Sequence, residues 1–363
     1  MPVNPSPGPT SPDKEKTLSR RAGSGLRPAV TALAESGVPF ACRGPQPIDA
    51  PPPGGDVDIL VDRCDVRRAD GVLRGAGLHF FATAGQHGHR FYIGIEQGNW
   101  LKLDVNIVPS RLGYDLSARD EASQRLHAAY RVGTKGRPGR LARLRMRAGR
   151  RLPPALRRLG PVVAILGPDG VGKGTVIGEL CARVPVAVAV RYLGERAVRP
   201  ADGDDGRAAN LPPAPYVPPS GLLGELREAQ HLVRKGVRTA WRVLRAVYIP
   251  AWRGDIVLCD RHPVEVLAVR PPRTRLGALV ERLVAERLMP WPDAIVVLDA
   301  PGEALLERKQ EHPLEVLERW RAGYREAFEP RGAAMVATTG TLERTVIAVS
   351  SVVWEALAKR RGW

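Results

Sequence analysis

The residues best suited to chemistry lie in the run Gly167-Pro168-Asp169-Gly170-Val171-Gly172-Lys173-Gly174-Thr175, entered directly from the apolar stretch Val162-Val163-Ala164-Ile165-Leu166. Glycines let the backbone turn so that successive N–H groups point inward, and a helix starting immediately behind them adds the positive end of its dipole. Lys173 brings a mobile cation to the same point. Strand, glycine loop and helix in that order, with the lysine in that place, make a cradle for the phosphates of a nucleoside triphosphate. The binding set expected from this run is Gly167, Asp169, Gly170, Gly172, Lys173, Gly174 and Thr175.

Two more groups of charged residues stand where apolar runs end, and in open α/β sheets ligands collect beyond the carboxyl ends of the strands. Asp260-Arg261-His262 follows Ile256-Val257-Leu258-Cys259. The Asp suits a hydrated Mg²⁺ or an acceptor hydroxyl, and the Arg suits phosphate through its planar fork. Leu298-Asp299-Ala300-Pro301 ends another run and leads into a helix with Glu307, Arg308 and Lys309, whose cations are candidates to fold over a triphosphate. The catalytic set expected is therefore Lys173, Asp260, Arg261 and Arg308. His262 has two open readings, substrate contact or packing on the next helix, and is left out of that set.

A second, independent constellation lies nearer the N-terminus. In Asp56-Val57-Asp58-Ile59-Leu60-Val61 the strand period of two puts both carboxylates on one face. Trp100-Leu101-Lys102-Leu103-Asp104-Val105-Asn106-Ile107 alternates likewise, with Lys102, Asp104 and Asn106 opposite its apolar face. Asp56, Asp58 and Asp104 are thus candidate ligands of divalent metal, positioned to stabilise attack at an α-phosphorus and departure of pyrophosphate. His87 and His89 flank Gly88 in an expected turn, without a third ligand to make a zinc site, and are read as exposed polar residues.

The elements that must hold these residues divide the chain into four parts: a Pro-rich tail (1–24) read as disordered, a first unit (25–120), a basic linker (121–159) and a second unit (160–363). In the second unit strands are predicted at 162–166, 186–192, 255–259, 294–298 and 334–338, alternating with helices, which favours a parallel sheet with helices on both faces. A Pro/Gly/Asp-rich loop (200–220), read as either disordered chain or a substrate lid, precedes a helix with Leu226, Val233, Val237, Trp241, Leu244 and Tyr248 at near-helical spacing, which Pro250 is expected to stop.

Charge is unevenly spread. The formal net charge is +17, and residues 123–160 hold 12 Lys or Arg with no Asp or Glu. Three readings are open for this stretch: a solvated linker helix, contact with an anionic surface or polyanion, or an electrostatic funnel for nucleotides. Tyr130 is its one aromatic, which argues against nucleic-acid stacking. Cys42, Cys64, Cys181 and Cys259 lie far apart without metal-type pairing and read as reduced, buried thiols. With neither the apolar core of a signal peptide nor an apolar run long enough to span a bilayer, a cytoplasmic protein is expected.

Residues 160–363 resemble the thymidylate kinase-like family of P-loop kinases. The resemblance is carried by Gly167-x-Asp169-Gly170-x-Gly172-Lys173, by Asp260-Arg261-His262, and by Pro292-Asp293-Ala294-Ile295-Val296-Val297-Leu298-Asp299 ahead of an Arg-bearing, lid-like segment. It implies a nucleoside-monophosphate-kinase fold and transfer of the γ-phosphoryl of ATP, with Mg²⁺, to a nucleotide or other small-molecule acceptor. Gly174 stands where the usual loop has Ser or Thr, with Thr175 one place later, and Arg191-Tyr192-Leu193-Gly194-Glu195 does not reproduce the family's acceptor pattern.

The first unit resembles the minimal nucleotidyltransferase fold, in which a strand ends in a glycine turn, an Asp-x-Asp strand follows a spacer, and a later strand adds another Asp. Here the turn is Cys42-Arg43-Gly44-Pro45, with Pro45 in place of a small donor residue. The fold expected is α/β: a P-loop kinase-like parallel sheet preceded by a smaller α+β nucleotidyltransferase-like domain. The leading function is an ATP-dependent phosphotransferase. The alternatives are nucleotidyl transfer through Asp56, Asp58 and Asp104 with the second unit as regulator, and a non-enzymatic ATP-binding adaptor.

Overall fold

The computed structural model describes residues 25–42, 56–81, 89–108, 159–194, 218–310 and 312–363. The Pro-rich tail, the Gly44-Pro45 turn, His87, nearly all of the basic linker and most of the 200–220 loop lie outside the described residues. Among those described, the chain forms two five-stranded sheets.

The first sheet follows α1 (Arg27–Glu35) and comprises β1 (Phe40–Cys42), β2 (Val57–Asp62), β3 (His79–Phe81), β4 (His89–Glu96) and β5 (Asn99–Val108), with α2 (Val66–Gly75) between β2 and β3. The strand order is β1-β2-β5-β4-β3, with β2 and β5 parallel and the other neighbours antiparallel. Val57, Ile59, Val61, Leu103 and Val105 pack with Leu33 of α1 and Leu73 of α2. That burial fixes the register, because a slip of one residue would carry every one of these side chains to the opposite face. His89 opens β4 instead of lying in a turn.

The second sheet is entirely parallel: β6 (Val162–Leu166), β7 (Val188–Tyr192), β8 (Ile256–Asp260), β9 (Ala294–Asp299) and β10 (Ala334–Ala337), in the order β10-β9-β6-β8-β7. Each expected strand is present within two residues of its predicted bounds. The central strands are buried on both faces, so they read as continuous apolar runs and not as alternating ones. Val163, Ile165, Leu258 and Val296 face α3 (Lys173–Arg183) and the C-terminal helix, whereas Val162, Ala164, Val257 and Val297 face the helices on the other side.

Those other helices are α4 (Leu222–Val243), which runs through a π-helical turn (Leu244–Tyr248) into α5 (Ile249–Trp252), then α6 (Val266–Val269) and α7 (Arg275–Leu283); α8 (Gly302–Arg308) packs through Leu305 on the α3 side, and α9 (Leu314–Phe328) reaches both cores. Pro250 does not stop the helical path. It falls just after the π turn, and the Ala246 carbonyl, four residues before the missing N–H, accepts from Arg191 Nε at 2.9 Å instead. Nor do Leu226, Val233, Val237 and Trp241 form the buried side of α4: all four are exposed, and Ala229, Leu232, Gly236 and Val243 are buried instead. The thiols also differ from expectation, since Cys64 is exposed and Cys259 alone is fully buried.

The last helix, α10 (Leu342–Arg361), is shared by the two units. Val346, Val349, Val353 and Leu357 pack on the parallel sheet, in one core with Phe81, Ile93 and Trp100 of the first sheet. Trp354 meets Trp100 edge-on with ring centroids 5.6 Å apart, the Trp363 ring stacks on His79 at 4.7 Å, and the Arg361 guanidinium lies over Phe81 at 4.5 Å. This continuous core joins the two sheets, and they are expected to unfold together. Trp354→Ala is expected to lower stability by about 2–4 kcal/mol, and urea titration followed by far-UV circular dichroism should show wild type unfolding in one transition that this variant splits or shifts downward.

Candidate active site

In the parallel sheet the chain turns to opposite sides of β6, so the crevice for a ligand lies beyond the carboxyl end of that strand. The loop 167–172 sits there. A Cβ at Gly167 would come within 2.5 Å of the Leu298 carbonyl oxygen, and Gly172 (φ +95°) turns the chain into α3 from the left-handed region. The first intrahelical bond of α3 is Val176 N–H to Gly172 O, which leaves the amides just before Val176 directed out of the helix end. The glycine-rich loop therefore presents donors and no side-chain bulk, as the sequence requires of a phosphate cradle.

Lys173 is 8% exposed, and its ammonium donates to the carbonyls of Gly167 (2.8 Å) and Pro168 (2.9 Å). Burial pushes its pKa below the ordinary lysine value, and the neighbouring Arg261 guanidinium acts in the same direction. Asp169 stands 3.8 Å from the ammonium and is ion-paired to Arg261, which also donates to Glu265 at 3.2 Å. Arg261 adopts φ +67°, a left-handed conformation that costs a non-glycine residue about 1–3 kcal/mol. That strain is held by the bond from Arg261 N–H to Ile165 O, by the two carboxylates and by close packing: a Cβ on Gly194 would lie 2.7 Å from Arg261 Cδ.

Asp260 ends β8, in register with Ile165 of β6 and Tyr192 of β7. Its Oδ1 is buried and accepts no hydrogen bond among the described residues, so the carboxylate keeps an open acceptor at the crevice. Lys173, Asp169, Asp260 and Arg261 are thus brought together. Arg308 is not joined to them: its guanidinium donates to Thr338 O (3.1 Å) and Thr338 Oγ1 (3.4 Å) past the end of β10. Its neighbour Lys309 abuts the loop, with its Cβ 3.2 Å from where a Cβ on Gly170 would stand.

Tyr324 and Glu265 also belong to this cluster, and neither stands out in the sequence. Tyr324, on α9, donates to the Gly167 carbonyl at 3.2 Å and also contacts the Glu265 carboxylate, so it ties the loop to Arg261 from behind. No local signal marks it, because the contact joins residues 157 apart in sequence. His262 resolves to packing: it is 1% exposed, its Nδ1 accepts from Val264 N–H, and burial lowers its pKa to about 4.

In the first sheet, Asp58 and Asp104 are paired across the parallel β2–β5 ladder, as the period of two predicts. Asp104 is 7% exposed, and His89 Nδ1 lies 3.2 Å from both of its oxygens. Burial raises the Asp104 carboxyl pKa; His89 opposes the rise, and Asp58 and Asp56 add to it. Lys102 Nζ donates to Asp56 at 2.9 Å and Asn106 Nδ2 to Asp58 at 3.4 Å. Among the described residues, no three His, Cys, Asp or Glu side chains are gathered closely enough to hold a metal ion.

No family model matches the sequence. Over 171 residues the chain is 32% identical to the hemin import ATP-binding protein HmuV of Streptomyces coelicolor, a match that covers 46% of this chain and 58% of that protein. The chain therefore spans little more than half the length of this relative. Among solved structures, the thymidylate kinase of Candida albicans aligns with 56% of this chain and 93% of its own at 14% identity, with a TM-score of 0.36. The second unit has a central parallel strand, a glycine-rich loop and a helix whose first residue is the loop lysine, an arrangement consistent with a P-loop NTPase-like fold.

The buried, neutral His262 makes stability sensitive to acid. The unfolded chain takes up a proton near the ordinary value of 6.5, whereas the folded chain resists until about pH 4. Stability is therefore complete above the first value and falls as pH drops toward the second, by about 3 kcal/mol from this group. In His262→Asn the amide oxygen can still accept from Val264 N–H and nothing titrates, so the stability gap to wild type should close by that amount between the two pH values in urea titrations. A constant gap would show that His262 does not resist protonation.

Proposed function

We propose that the second unit is an ATP-dependent phosphotransferase that moves the γ-phosphoryl of ATP to a nucleotide or a related small acceptor. The observation that carries this reading is the convergence of Lys173, Asp169, Arg261 and the open carboxylate of Asp260 at the carboxyl ends of β6 and β8. The Streptomyces relative is by name an ATP-binding protein, which supports the choice of nucleotide.

The chain's own residues account for the chemistry in the following way. Loop amides and the N-terminus of α3 bind the β- and γ-phosphates, and Lys173 leaves the Gly167 and Pro168 carbonyls to neutralise charge there. The ammonium is held most closely by carbonyl dipoles, with the Asp169 carboxylate further off at 3.8 Å, so phosphate oxygens compete for it on favourable terms. Arg261 exchanges its contact with Asp169 for a phosphate oxygen on the acceptor side, where its fork and its fixed backbone orient the acceptor for in-line attack. Asp260 offers its buried oxygen to the acceptor hydroxyl or to the water shell of Mg²⁺. When bound, Mg²⁺ supplies charge neutralisation across the β- and γ-phosphates. Thr175, not Gly174, is the hydroxyl of the loop nearest to that role in sequence. Tyr192 and Gly194, beside Arg261, form the near wall of the acceptor side.

A second reading is nucleotidyl transfer by the first unit, favoured by the in-register pair of half-buried Asp58 and buried Asp104. In that reading Lys102 and His89 release Asp56 and Asp104 to divalent metal, and the second unit acts as an ATP-dependent regulator.

Phosphorus NMR of ATP and Mg²⁺ with pooled nucleotides, nucleosides and sugars separates the two. Phosphotransfer yields ADP and a new phosphate ester or diphosphate; nucleotidyl transfer yields pyrophosphate. Lys173→Ala is expected to lower ADP formation by about a thousandfold or more while the thermal melt stays close to wild type. Unchanged turnover in that variant rules out the phosphate loop as the site. Pyrophosphate that disappears in Asp104→Asn and persists in Lys173→Ala moves the chemistry to the first unit.

A further inference from the structure

Helix α4 has three distinct sides. Ala229, Leu232, Gly236 and Val243 are buried, and Gly236 lies so close to the segment after α7 that a Cβ there would meet Val284 at 2.5 Å. A second side is apolar and exposed: Leu222 (73%), Leu226, Val233, Val237 and Trp241 (59%) recur at intervals of four or seven residues. This stripe runs about 29 Å along the helix. A third side lies one residue further round from the stripe and carries the exposed Arg227, Arg234 and Arg238. None of these three arginines is ion-paired to a carboxylate among the described residues, whereas Arg261, Arg273, Arg321 and Arg360 of the same unit all are.

We propose that this face of α4 docks on the surface of an anionic lipid bilayer. A row of exposed leucines and valines ending in a tryptophan, next to a row of unpaired guanidinium groups, is the pattern of a helix that lies in the interfacial plane. The apolar stripe enters the acyl boundary, Trp241 sits at headgroup level, and the arginines meet lipid phosphates. No described helix is long and apolar enough to cross a membrane, and the proposal requires only a helix lying on its surface. Charge disfavours an antiparallel two-fold contact with a second copy of the chain, which would bring two rows of arginines without carboxylate partners to the same side of the seam, whereas lipid phosphates complement that row in any orientation of the helix on the surface. Lipid is favoured over nucleic acid as well, because phosphate grooves give no burial to five large apolar side chains.

The test is flotation of the full chain with vesicles of phosphatidylcholine alone and of phosphatidylcholine mixed with phosphatidylglycerol. Wild type should float with the mixed vesicles, not with the neutral ones, and less as salt is raised. The triple variant Leu226→Ser/Val237→Ser/Trp241→Ser keeps every charge, including those of the basic linker, and should lose about tenfold or more in partitioning. Arg234→Glu/Arg238→Glu should lose a similar factor, and phosphoryl transfer in solution should stay at wild-type level in both. Brominated acyl chains should quench wild-type fluorescence more than that of Trp241→Phe, a readout that does not depend on how the triple variant folds. Absence of flotation, undiminished flotation of the triple variant, equal quenching in wild type and Trp241→Phe, or a stable dimer dissolved by the triple substitution would each overturn the proposal.

Discussion

Everything at the phosphate loop depends on holding one ammonium ion out of water. Lys173 is buried and its charged form is disfavoured, yet it is positioned by two backbone carbonyls of the loop it serves. Carbonyl dipoles solvate a cation without cancelling its charge, and the Asp169 carboxylate stands back at 3.8 Å, so the cation is only partly compensated before an anion arrives. The loop must therefore keep the Gly167 and Pro168 oxygens turned inward on one side of Lys173 and its N–H groups free on the other. Gly167 is pressed against the Leu298 carbonyl, and its own oxygen accepts from Tyr324. Those contacts come from β9 and α9, so the shape of a nine-residue motif is set by chain more than a hundred residues away.

The same tension explains the ion-pair chain beside the loop. Arg261 occupies a strained backbone conformation, and Asp169, Glu265 and Tyr324 surround its side chain or its partners. A guanidinium fixed in this way between carboxylates is held by the fold itself, and it packs closely against Tyr192 and Gly194. Asp299, by contrast, is engaged on both oxygens: burial alone would raise its carboxyl, and hydrogen bonds from Arg321 and Arg325 hold it below the ordinary value. It follows a strand as Asp260 does, but it anchors α9 and offers no open acceptor. Two aspartates with similar sequence contexts thus have different roles, decided by which arginines the fold brings to them.

What the sequence made legible follows from the range of the forces involved. The five parallel strands, the loop and the acid-bearing faces of β2 and β5 were readable because they rest on local periodicity and on glycine's backbone freedom. Tyr324 and Glu265 were not, because their role is a contact between distant elements with no local signature. Arg308 was legible as a cation on the right helix, but its rotamer is set by Thr338 at the far edge of the sheet. The α4 stripe shows the limit from the other side: its spacing correctly gave a helix, but periodicity alone does not say whether an apolar face is covered.

The sharing of α10 places a physical constraint on any reading of the two units. One side of this helix completes the core of the parallel sheet, and its Trp354, with Trp363 just beyond its end, packs against Trp100 and His79 of the first sheet. Trp100 lies on the same face of β5 as Lys102, Asp104 and Asn106, four positions along the strand from Asp104, about 13 Å. The acidic face of the first sheet is therefore the face that is docked at one end onto the second unit. A displacement of α10 driven from the phosphate loop through α3 and β6 would reach the Asp104 face through a packed aromatic cluster and not through a flexible tether. Close-packed cores transmit small shifts because they do not deform continuously. The two candidate sites are thus linked by one continuous packed core.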